Sequence, residues 1–439
     1  MWCSPSLELS SARRPEPASL HQPRMLRSGS RRLPAAAALL LAAILPWLAG
    51  GRAAAQEPRF LIEKITVEGV RGRGAQIIIS QSYLKTGQSY TERELQEAVY
   101  RVKHLPFVVD ADLALRKGSV RDSYELVVTV EETRPLFLEV APQGVYVAAP
   151  RGVTLPPFGA VSWASQESLT VRQVVGSEGL AFGSYSYSTG NNQSAEAGYT
   201  QYNLFGNGSY ATLQAADQFA PGQHPSPSVS GSLGVVLSSN LTLVLTPGWA
   251  YGSSDLFGSH LAEHLLSGNL ALIYRTTDDP FIPTRGEDLE AVVSESHLMF
   301  RLEPSFYQGL GSQDTFSLEL TGTKYWPLTR RQSVGVNLEA DREQVSGAPP
   351  VEGAFPGAVE NAVLQLLYSA RPWSDATVRR LGDLRFEASV GDTYGHADLP
   401  VFLDGRRDVR QLVASVGAAY RNQWGLLLFN FQYIGREVP

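Results

Sequence analysis

LALIYRTTDDPFIPTRGEDLEAVV, running from Leu270 to Val293, reads as an apolar-rich strand, a turn and a second strand. In the second strand Leu289, Ala291 and Val293 share one face while Asp288 and Glu290 share the other. This is the period of two required of a strand lying between an apolar and a polar medium. Pro280 and Pro283 fix φ and withhold donors, so they belong where a ladder is interrupted, and Gly286 permits a sharp bend beside them. The stretch is a β-hairpin. A soluble hairpin satisfies the same pattern, so the rest of the chain has to name the medium.

Asp279, Pro283 and Gly286 stand as an Asp followed by P-x-x-G, and the string resembles the hairpin of the BamA/TamA family of outer-membrane assembly barrels. A second element lies upstream, NLFGNG at 203–208. On its own this is a turn with two glycines available for positive φ. Its residues Asn203, Leu204, Phe205, Gly206 and Gly208 also match the NLFGxG element of the same family, in the same order relative to the PTRG string.

Residues 1–55 read as export machinery. Arg27, Arg31 and Arg32 precede an apolar run from Ala35 to Ala49, and Ala53, Ala54 and Ala55 offer a small-residue cleavage site before Gln56. This is the layout of a secretory signal peptide, and the run falls short of the roughly 20 apolar residues of a spanning helix. Residues 1–24 lack that logic and lead to Met25, which reads as the true start; a plastid transit peptide, rich in Arg and Ser, is the rival. Removing 1–55 takes away seven Arg, two Glu and Cys3, leaving 30 basic and 41 acidic residues and no cysteine. That balance disfavours nucleic acid as a partner and excludes disulfides and thiolate metal sites. No later segment reaches the length of a spanning helix, so membrane residence requires a barrel.

Residues 56–134 read as a small α+β domain. Ile62, Ile65 and Val67 begin a strand, 77–84 suits a short helix, and Thr91 to Glu94 form a capping box. Leu95, Ala98, Val99 and Val102 then make one apolar stripe. Strands at 107–115 and 124–130 close a β-α-α-β-β order. The strings ITVEG, LKTGQSYTERELQEAVYRVKHLPFV and ELVVTVEE resemble a single POTRA domain, the periplasmic module of the same family. A three-stranded sheet has open edges at which an unfolded strand can add by main-chain bonds. Leu126, Val127, Val128 and Thr129 of the last strand are the candidate client-binding edge. Residues 135–178, interrupted by prolines, are a linker or additional strands.

From 179 to 439 the alternation is regular. Val334, Val336, Leu338 and Ala340 oppose Gly335, Asn337, Glu339 and Asp341, and Leu384, Phe386, Ala388 and Val390 oppose Arg385, Glu387 and Ser389. A soluble sandwich alternates too, but with shorter strands than the roughly 9–11 residues of a spanning one. Aromatics at Tyr325, Trp326, Tyr368, Trp373, Tyr394 and Tyr420 suit interfacial girdles. The fold expected is the α+β POTRA-like domain followed by an all-β antiparallel transmembrane barrel. Closed bacterial barrels carry even counts, and the resemblance implies 16 strands within a range of 12–16. The chain ends in a closing strand with Leu427, Phe429, Phe431 and Tyr433 on one face.

Two features depart from the family. Residues 343–381 lack the VRGF-like tetrad of the loop that folds into the lumen, the nearest string being TVRRLG at 377–382, and GREVP follows the last aromatic. No Ser-His-acid set, phosphate loop or cofactor motif is present; His260, Glu263 and His264 are the nearest approach to a metal site, with no further ligand signalled beyond them. The expectation is no catalysis, no cofactor and no metal. The resemblance implies a bacterial outer-membrane protein with its POTRA domain in the periplasm. It would assist assembly, insertion or translocation of unfolded outer-membrane or secreted polypeptides, in contact with the lipid bilayer and with periplasmic or lipoprotein accessory proteins. A passive pore or transporter with a periplasmic docking domain is the alternative.

Overall fold

The computed structural model describes residues 57–70, 74–147, 160–189, 192–219, 224–256, 259–303, 310–348, 357–373, 377–378, 381–398 and 406–437. The expected signal peptide and Met25 start lie outside them, as do the last two residues of GREVP, 438–439, whose first three belong to the final strand.

The first part is a four-stranded sheet with two helices: β1 Arg59–Glu68, α1 Ala75–Ser82, β2 Gln88–Thr91, α2 Glu92–Lys103, β3 Val108–Lys117 and β4 Ser123–Glu132. The short β2 is one strand more than the sequence pattern suggests. Helix α2 starts at the expected capping box, with Thr91 accepting from the Glu94 amide and Glu94 accepting from the Thr91 amide. Its stripe of Leu95, Ala98, Val99 and Val102 packs with Ile77 and Ile78 of α1 onto Leu126, Val128 and Val130. The sheet order is β2-β1-β4-β3, with β1 and β4 parallel.

Among the described residues, the second part is a closed barrel of fifteen strands. They are β5 Leu136–Val147, β6 Ala160–Val175, β7 Gly179–Ser188, β8 Asn192–Gln201, β9 Tyr210–Phe219, β10 Ser226–Ser238, β11 Leu241–Leu256, β12 Ser259–Arg275, β13 Gly286–Glu303, β14 Leu310–Pro327, β15 Gln332–Ala348, β16 Gly357–Ala370, β17 Asp383–Asp398, β18 Arg406–Arg421 and β19 Gly425–Glu437. Residues 135–178 thus supply the first two staves. The count is fifteen where sixteen was expected, and parity explains how it closes. In an up-and-down meander with an odd number of strands the first and last run the same way, and β5 and β19 pair in parallel while every other neighbouring pair is antiparallel.

Alternation sorts the two faces as the sequence indicates. Val334, Leu338, Phe386, Val390, Leu427, Phe429 and Tyr433 are exposed on the outside, whereas Ser333, Asn337, Arg385 and Ser389 are buried. A continuous apolar exterior around a polar lumen is the architecture of an outer-membrane barrel. The aromatic assignment needs one correction: Trp326 points out, but its neighbour Tyr325 is on the opposite face and donates to Glu387 at 3.1 Å inside the lumen.

Candidate functional site

The connections β6–β7, β8–β9, β10–β11, β12–β13, β14–β15, β16–β17 and β18–β19 belong to the end of the barrel that carries the small domain. The β12–β13 connection, 276–285, folds inward. Gly286 has φ 101° and a Cβ there would stand 2.4 Å from the Thr276 carbonyl, so only glycine closes this bend. Asp278 and Asp279 cap the turn from within. Asp279 accepts from the Phe281 and Ile282 amides at 2.9 and 3.1 Å, and Asp278 accepts from the Thr284 amide and hydroxyl at 2.8 and 2.7 Å.

The turn is held against the far wall by charge. Arg385 on β17, 3 % exposed, bridges Asp279 at 3.3 Å and Asp383 at 2.9 Å and donates to the Ile282 carbonyl at 3.0 Å. Arg421 on β18 reaches Asp279 at 3.2 Å, Arg371 reaches Asp383 at 2.8 Å, and Ser369 donates to the Pro283 carbonyl at 2.7 Å. Asp278 in turn lies 3.7 Å from Arg385 and 3.9 Å from Arg285, so four arginines meet three aspartates and the buried charges are paired, which is the condition on which a low-dielectric site tolerates them. Burial by itself would raise the Asp279 carboxyl; Arg385, Arg421 and the two amides outweigh it and hold it at about 2. Asp278 and Asp279 sit on the inward turn, whereas Asp383, Arg385 and Arg421 sit on the strands of the barrel wall. TVRRLG offers no substitute for the missing tetrad, because 377–382 lies in the β16–β17 connection at the domain end.

The NLFGNG turn seats the small domain. Asn203 adopts φ 58° and donates to Glu178 at 2.8 Å, and Gly206 and Gly208 both have positive φ. Gln81 of α1 donates to the Gly208 carbonyl at 2.7 Å, and a Cβ on Gly208 would stand 2.1 Å from the Tyr83 ring. Leu204 and Phe205 remain exposed. From α2, Arg101 donates to Asn240 at 2.8 Å, Asn240 donates to Glu97 at 2.9 Å, and His104 meets Thr277 at 3.3 Å. The Nδ1 of His104 lies 2.7 Å from the Tyr100 carbonyl and so carries the proton, leaving Nε2 to accept from Thr277. The domain core continues into the barrel floor through Leu180 and Tyr202. A cavity of about 330 Å³ remains between them, lined by Tyr83, Arg101, His104, Tyr210 and Arg275.

The expected client-binding edge requires correction. Leu126, Val127, Val128 and Thr129 lie in β4, which is paired on both sides, to β1 and to β3. The true edges are β2 and β3, and both are guarded. On β3 the amides of Ala111 and Leu113 donate to the side chains of Asp110 and Asp112 at 3.0 and 2.8 Å. On β2 the Ser89 carbonyl accepts from Arg59 at 2.7 Å and the Thr91 amide is taken by Glu94. Charged side chains on an edge oppose strand addition.

The closing strand β19 carries Leu427, Phe429, Phe431 and Tyr433 outward at the parallel seam. Its register with β5 runs from Gly425 opposite Leu138 to Ile434 opposite Val147, and lapses at Ala141 and Pro142, where proline withholds a donor. Tyr146 stacks on Tyr433 at 5.5 Å, and Trp163 lies 6.5 and 5.8 Å from Phe429 and Phe431. His260, Glu263 and His264 lie within strand β12, so Glu263 and His264 take opposite faces; His264 packs against Tyr251 at 5.1 Å. Among the described residues no group of His, Cys, Asp and Glu could hold a metal ion.

No protein-family model matches the chain, and no curated protein does. Among solved structures it is similar to BamA from Haemophilus ducreyi lacking POTRA domains 1–3, at 12 % identity over 87 % of this chain and 82 % of that one, with a TM-score of 0.43. It is also similar to CdiB from Acinetobacter baumannii, at 9 % identity over 83 % and 68 %, TM-score 0.43. OmpT, an outer membrane protein of Vibrio cholerae, is similar at 8 % identity over 65 % and 95 %, TM-score 0.33. The chain therefore resembles barrels of the BamA and CdiB kind.

Proposed function

We propose that this chain assists the assembly, insertion or translocation of polypeptides at the bacterial outer membrane, with 56–134 as a single POTRA-like domain on the periplasmic side. The observation that carries this is the parallel seam. Each antiparallel pair of the barrel is tied by its own connection, whereas β5 and β19 have no chain connection and meet through their ladder and the Tyr146–Tyr433 stack, in the pairing that is slightly less stable per residue. The seam is where this barrel opens at least cost, and an opened seam offers two edges that template an incoming strand by main-chain bonds. An alternating client strand would gain pairing and apolar burial in lipid, with no nucleotide needed. The guarded edges of the small domain favour the seam over the domain sheet as the place of strand exchange.

The passive-pore reading is disfavoured by the inward 276–285 turn and the docked domain, which together obstruct the same end of the lumen. A cysteine pair tests the proposal. Val140 and Leu427 are register partners, and the sequence has one cysteine, Cys3. Val140→Cys with Leu427→Cys should lose assembly activity when oxidised and regain it on reduction. Full activity in the oxidised form would contradict the proposal.

A further inference from the structure

The connections at the domain end differ in what occupies them. The 202–209 turn seats α1, Asn240 seats α2, and 276–285 is drawn into the lumen. In 371–382, Arg371 is engaged by Asp383, and in 422–424 Gln423 donates to Glu131 at 2.9 Å. The β14–β15 turn, 328–331, is different: its side-chain bonding is confined to Thr329, which accepts from the Arg331 amide at 3.2 Å. Leu328 is 59 % exposed, Trp326 and Val334 flank it on the outer face, and Arg330 and Arg331 are exposed with no ion pair among the described residues. Lys324 lies 5.7 Å from the Trp326 ring. In a chain of net charge −6, two unpaired arginines beside an exposed tryptophan and leucine form an amphipathic basic tip at one point of the rim.

We propose that this tip binds anionic phospholipid: Trp326, Leu328 and Val334 enter the interfacial layer while Arg330 and Arg331 engage headgroup phosphates of the leaflet facing the domain end. Charge complementarity selects the occupant. Guanidinium forks match phosphate oxygens, a tryptophan prefers the headgroup level, and the turn sits where strands leave the apolar band. The inference rests on the transmembrane reading above, and it adds a preferred lipid and a preferred place for it.

The full chain in nanodiscs of phosphatidylcholine, with and without phosphatidylglycerol, tests this by native mass spectrometry of retained lipid. Insertion is checked separately by heat-modifiable migration. The wild-type chain should retain phosphatidylglycerol in preference, and Arg330→Gln with Arg331→Gln should lose that preference about thirtyfold, the effect expected of two arginines at an anionic surface. Arg342→Gln, an exposed arginine nearer the other end of β15, should leave it unchanged. Undiminished preference in the double variant, equal loss in Arg342→Gln, or full competition by soluble glycerol phosphate would each overturn the inference. A chain that never enters the bilayer overturns the transmembrane reading and this inference together; one that enters without preference overturns this inference alone.

Discussion

Arg385 is the residue on which the inward turn depends. Removing it leaves Asp279 and Asp383 short of a buried cation, so Arg385→Ala should cost about 3–5 kcal/mol. Arg385→Lys should rescue little, since one ammonium cannot reproduce the fork that serves Asp279, Asp383 and the Ile282 carbonyl together. Thermal unfolding of the detergent-solubilised barrel reads both, and an unchanged midpoint would refute the cluster's role. The alternation of LRFEASV already turned Arg385 inward; its partners were not legible, because 142 residues separate Asp279 from Arg421 and only the closed barrel brings them together. At the same scale, Leu338 is 45 % exposed on the outer face, while Thr321 lies opposite Glu290 and Glu339 in the register. Leu338→Arg should block membrane assembly at about 2–4 kcal/mol, and Thr321→Arg should be tolerated. Equal damage in a heat-modifiability assay would argue for a soluble barrel. Asn337, a natural lumen control from sequence alone, is a poor one: it is 8 % exposed and bonded to Thr323 and Glu339.

Helix α2 shows which features of an element a sequence carries. Its start and buried stripe follow from local spacing, but its docking on the barrel floor does not, since Arg101, Glu97 and His104 read as an ordinary solvated face until Asn240 and Thr277 are placed beneath them. Strand β4 teaches the complement. Alternation fixed its two faces and said nothing of its neighbours, so a last strand in sequence read as an edge when it is central in space. The docking carries a pH signature. Burial pushes His104 below its ordinary 6.5, partly opposed by its bond to the Tyr100 carbonyl. The undocked state therefore binds more protons as pH falls through about 6.5, so docking is strongest above that value and weakens below it. Asp279, held at about 2, keeps the inward turn fastened over the same range. Between about pH 7 and pH 5, amide exchange should rise in 95–104 and not in 276–285, and His104→Gln should abolish the rise. Parallel changes in both segments would contradict this assignment.

At the scale of the whole molecule, the barrel was legible from strand length and alternation, and its parity was not. Prolines across 135–178 obscure β5 and β6, and Pro142 is tolerated because the register with β19 lapses there. An odd count forces the parallel seam, and the seam is the proposed point of entry for client strands. Placing a photo-crosslinking residue at Val140 on β5, and for comparison at Leu266 on the outer face of β12, tests this most directly during assembly of a stalled outer-membrane client. The expected result is client adducts at 140 with none at 266; adducts of equal yield at both positions, or assembly that proceeds with none at 140, would contradict it.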